Sequence, residues 1–68
     1  MSPANQAKHE SLLRRAEKCY EQARLARKYA AYADSAQARE WDEKQARAYD
    51  QSAFDLEAEA ARLMESDP

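Results

Sequence analysis

The chain has 68 residues and a formal net charge of −2, from 11 Lys+Arg set against 13 Asp+Glu, with one Cys, one His, two Pro and no Gly. Sixteen alanines and five leucines stand beside not one Val, Ile or Thr. The β-branched residues of strands and the glycines of tight hairpin turns are therefore both missing, and the composition points to an all-α fold in a single domain spanning 1–68.

In chain order, the first signal is Ser2-Pro3, a capping hydroxyl followed by a proline at the first helical position, where its absent N–H does no harm. From Ala4 to Asp67 no proline or glycine interrupts the chain. At 100° per residue, Leu12, Leu13, Ala16, Cys19, Tyr20, Ala23, Ala26, Ala30 and Ala33 gather on one face of a first helix over about 3–33. Asp34-Ser35 then marks a break, with Asp34 placed to cap a new helix and Gln37 to reach back to it. The second helix, about 35–65, gathers Ala38, Trp41, Gln45, Ala48, Tyr49, Ser52, Leu56, Ala60 and Leu63 on its own face, and Ser66, Asp67 and Pro68 read as a frayed tail.

Two architectures fit: an antiparallel hairpin, or one continuous helix of ~60 residues, roughly 90 Å long, in a coiled coil. Folding at Asp34-Ser35 sets Leu13 against Leu56, Ala16 against Ala53, Tyr20 against Tyr49 and Ala23 against Ala46. It also brings Arg27 beside Trp41 and Asp42. Large meets large and small meets small, so the hairpin is favoured. Two alanine-rich helices bury little area, and a second copy is expected to complete a homodimeric four-helix bundle. The expected self-association core is Leu13, Ala16, Tyr20, Ala23, Trp41, Tyr49, Leu56 and Leu63, with Trp41 closing the turn end. Leu25, Tyr29, Tyr32 and Phe54 lie off these faces and suggest either a dimer seam or a surface for a protein partner.

Residues 1–34 carry seven basic and four acidic side chains, and residues 35–68 four basic and nine acidic. Two complementary rods account for much of this. A second reading makes Arg14, Arg15, Lys18, Arg24 and Lys28, with Tyr29 and Tyr32 for stacking, a nucleic-acid face, although Glu10, Glu17 and Glu21 dilute it.

No catalytic, cofactor or metal site is expected. His9 and Cys19 stand ten residues apart without further ligands, glycine for a phosphate loop is lacking, and neighbouring carboxylates such as Asp42 and Glu43 diverge around a helix. Cys19 reads as a small core residue and His9 as a surface one. No segment has the ~20 apolar residues of a membrane span, and residues 1–10 lack a secretory signal's apolar stretch. With a single Cys, the expectation is a cytoplasmic, non-enzymatic interaction or regulatory protein. In length and plan alone the chain resembles the small bundle-forming regulators of plasmids and phages, some of which bind RNA through a helix pair.

Overall fold

The computed structural model describes residues 2–66. Two antiparallel helices, α1 (Pro3–Ala31) and α2 (Ala36–Ser66), form the predicted hairpin, and among the described residues there is no strand. Helix α1 starts as its sequence dictates: the Ser2 hydroxyl accepts from the Asn5 N–H at 3.2 Å, with Pro3 in the first turn. At its far end the Tyr32 and Ala33 N–H groups donate to the Tyr29 and Ala30 carbonyls at 3.1 and 3.2 Å, tightening the last turn as the chain leaves the helix.

Ser35, rather than Asp34, caps α2. Its hydroxyl accepts from the Ala38 N–H at 3.1 Å and its carbonyl from the Arg39 N–H at 3.0 Å. The residue three beyond this cap is alanine, so the reciprocal bond expected from Gln37 has no place in the capping geometry. The second helix thus starts one residue later than its sequence suggests, and the first ends two residues earlier, at Ala31 instead of about 33. Helix α2 also runs through Ser66, whose hydroxyl donates to the Leu63 carbonyl at 3.1 Å. The rest of the expected frayed tail, Asp67 and Pro68, lies outside the described residues.

The seam between the helices is made of alanine at every seventh position. Ala16, Ala23 and Ala30 from α1 and Ala46, Ala53 and Ala60 from α2 are all at most 4 % exposed, joined by Leu12 at 3 % and Ala26 at 9 %. A strict seven-residue repeat keeps one stripe on the partner when the helices supercoil, and a methyl side chain at each repeat lets the two backbones approach closely. Cys19 continues the stripe half-buried on α1, and Ala33 does so just beyond its end; His9 is half-buried on it too, instead of standing clear of the seam as a surface residue. On α2 the half-buried Asp42, Leu56 and Leu63 fill the alternate positions.

The buried faces differ from those expected. Leu12, not Leu13, enters the seam on α1, while Leu13 is 42 % and Tyr20 43 % exposed on its edge. On α2 the stripe is rotated away from Trp41, Ala48 and Ser52, which are exposed, onto Ala46 and Ala53. Weighting residues by hydrophobicity draws the expected face toward Trp and Tyr. A close helix pair selects instead for small volume, and the large side chains are displaced to its flanks.

Side-chain register also departs from expectation. Tyr20 donates to Glu57 rather than facing Tyr49, and Arg27 pairs with Asp50 rather than with Asp42 and Trp41. Both pairs reach higher-numbered residues of α2 than folding at Asp34-Ser35 implies, in the direction that side chains lean along an antiparallel pair. Trp41, 62 % exposed, does not close the turn.

Candidate interaction surfaces

A hairpin seam has two flanks. On one, the row Leu13, Tyr20, Arg27 borders the row Asp50, Glu57, Met64, as the Tyr20–Glu57 and Arg27–Asp50 contacts show. The carboxylate of Glu57, accepting from the phenol, raises the Tyr20 pKa above its ordinary value of 10.0, and Asp50 does the same for the Arg27 guanidinium. Phe54 lies on this side at 64 % exposure, in a shallow groove with Tyr20, Arg47, Asp50 and Gln51.

The other flank follows from helical spacing. It carries the row Lys8, Arg15, Gln22, Tyr29 on α1 and the row Ala38, Gln45, Ser52, Glu59 on α2. Tyr49, Leu56 and Leu63 show through from the seam on this side, and Trp41 stands beside them in an open depression lined by Ser35, Gln37, Ala38, Glu40, Asp42 and Lys44. Tyr29 is 64 % and Tyr49 38 % exposed, and Leu25 is half-buried one row further round.

These placements divide the expected self-association core. Ala16 and Ala23 belong to the seam within one chain, with Leu56 and Leu63 half-buried at its edge. Leu13 and Tyr20 fall on one flank, and Trp41 and Tyr49 on the other. Of the residues expected to meet a partner, Tyr29, Tyr32 and Phe54 are well exposed, and Phe54 stands on the opposite flank from Tyr29.

The five cations proposed for a nucleic-acid face are all exposed, but they do not converge. Arg15 and Arg24, nine residues apart, point to opposite sides of α1. Arg24 is held by Glu21 on its own helix at 2.5 Å, and its guanidinium keeps the Glu21 carboxyl below the usual carboxylate range. Arg14 and Lys18 share a shallow groove with Glu17 and Glu21. The acidic neighbours thus sit within reach of the cations, a poor field for a phosphate backbone.

The Tyr20–Glu57 and Arg27–Asp50 contacts were not anticipated from sequence. The signal for them was present in the seven-residue spacing of Tyr20 and Arg27, matched by that of Asp50 and Glu57, and it becomes readable only once the alanine stripe has fixed the heptad. Cys19 is a free, half-buried thiol. Among the described residues no group of three or more His, Cys, Asp or Glu side chains could hold a metal ion, and no helix is long and apolar enough to cross a membrane. No family model matches the chain, and no curated protein and no solved structure matches it either.

Proposed function

We propose that the chain is a non-enzymatic helical interaction module of the cytoplasm that self-associates into a four-helix bundle and, in that form, presents its remaining apolar surface to a protein partner. One observation carries this reading: the mismatch between what a single chain buries and what it exposes. Its accessible surface is 5206 Å², whereas a compact monomer of 7.8 kDa exposes about 4,400 Å². The excess of roughly 800 Å² is the share one partner contributes to a standard protein interface. The radius of gyration agrees, at 15.6 Å against about 11 Å for a compact chain of this length.

That excess is apolar in the places that matter. Every side chain in the fully covered seam except Leu12 is an alanine, while four tyrosines, Trp41, Phe54 and Met64 stand between 38 % and 77 % exposed. Aromatic residues of this kind anchor protein interfaces. Sedimentation equilibrium across micromolar concentrations tests the proposal: the expected mass is twice 7.8 kDa, and a monomer throughout refutes self-association. Titration with RNA or DNA at low salt tests the competing basic-face reading. Binding that falls steeply with salt and is removed by Arg14→Glu and Arg24→Glu would replace a protein partner with a nucleic acid.

A further inference from the structure

Resting on that proposal of self-association, we infer which face pairs and in which direction: a second copy of this chain covers the flank of Tyr29, Trp41 and Tyr49, with both turns at the same end of the bundle and each α1 lying along the partner's α2.

The flank is chosen by what already closes the other one. Beside Leu13 and Tyr20, the phenol–carboxylate bond to Glu57 and the Arg27–Asp50 ion pair span the two helices, so covering that side would strip water from charged groups. The flank of Trp41 carries no such crossing pair among the described residues. Toward the turn, its near edge on α2 carries small or neutral residues, Ala38, Gln45, Ala48 and Ser52, that leave Trp41 and Tyr49 open to approach.

Direction follows from how charge is distributed along this flank. The half nearest the turn carries Gln22, Leu25 and Tyr29 on α1 and Trp41, Gln45 and Ala48 on α2; its charges are Asp42, half-buried at the seam, and the opposite pair Glu40 and Lys44 around Trp41. The half nearest the termini holds Lys8, Arg15 and Lys18 on α1, and Asp55, Glu59 and Arg62 on α2. A twofold axis parallel to the helices stacks turn half on turn half and lays Arg15 and Lys18 over the partner's Asp55 and Glu59. Turning one hairpin end over end would instead bury the turn half of each chain beneath the more charged half of the other. Complementary charge and self-complementary apolar surface select the first arrangement.

The test places a nitroxide label at the turn, in Asp34→Cys with Cys19→Ala, and measures the label-to-label distance by dipolar spectroscopy. The expected distance is less than half the 52 Å length of the hairpin; a distance near or above that length overturns the direction. Ala48→Arg is expected to abolish the dimer with helicity retained, and Ala61→Arg on the opposite flank to leave it intact. The reverse result overturns the choice of face. Lys18→Glu should raise the dimer dissociation constant, and adding Asp55→Lys should restore it; no recovery counts against the α1–α2 pairing. A chain that never dimerises refutes the underlying self-association, a result distinct from a dimer of the wrong direction or face.

Discussion

Ala53 has no accessible surface, and Leu12 keeps only 3 % of its own, yet these are modest side chains for the tightest points of a fold. Their neighbours in sequence show how sharply the packing discriminates. Leu12→Ala is expected to lower stability by about 2–5 kcal/mol, the range for a buried leucine. Leu13→Ala, in a chain kept monomeric, should cost much less, and thermal denaturation followed by circular dichroism separates the two. Ala53→Leu should destabilise by about 1–3 kcal/mol, because the seam has no room for the added volume. Tyr20 supplies a pH signature. Its phenol donates to Glu57, so its pKa is raised, and the contact's stabilisation is fully present below the ordinary pKa of 10.0 and lost as pH rises through the raised value. Ultraviolet titration should show a phenol ionising above 10.0, and Glu57→Gln should lower its pKa.

Each helix owes its existence to composition and its limits to single residues. Alanine, leucine, glutamate, glutamine, lysine and arginine dominate both, and propensity summed over some thirty positions leaves no alternative. Without glycine or proline at the reversal, one hydroxyl does the work of a stop signal. Ser35→Ala should therefore cost about 1 kcal/mol by removing the acceptor of the Ala38 N–H. Asp34→Ala should cost less, and the comparison by denaturant titration decides which residue is the cap. The reversal was legible in Asp34-Ser35, but not to the residue, since both side chains can cap and only the path of the chain into the seam selects between them.

For the molecule as a whole, the expected consequence of a thin alanine seam is that stability depends on assembly. The melting temperature should rise with protein concentration, because association draws the equilibrium toward the folded state. Calorimetry over a hundredfold range of concentration checks this, and a melting point independent of concentration would show that the hairpin stands alone. The hairpin itself was readable in the break at Asp34-Ser35 and in the alanines spaced along both helices. The flanks were not. Hydrophobicity placed Leu13, Tyr20, Trp41 and Tyr49 together, whereas in the fold they line opposite edges of one seam.

The amino-acid sequence alone determined the helical class, the start at Ser2-Pro3, the break near residue 34 and the absence of a motif tied to a known chemistry, since these depend on local propensity and on which side chains are present. Only the tertiary structure decided which face closes and which contacts span it. Two backbones can approach closely only where both sides offer methyl groups, and that mutual constraint of volume, together with the lean of side chains along each helix, is a property of the pair rather than of either strand of sequence.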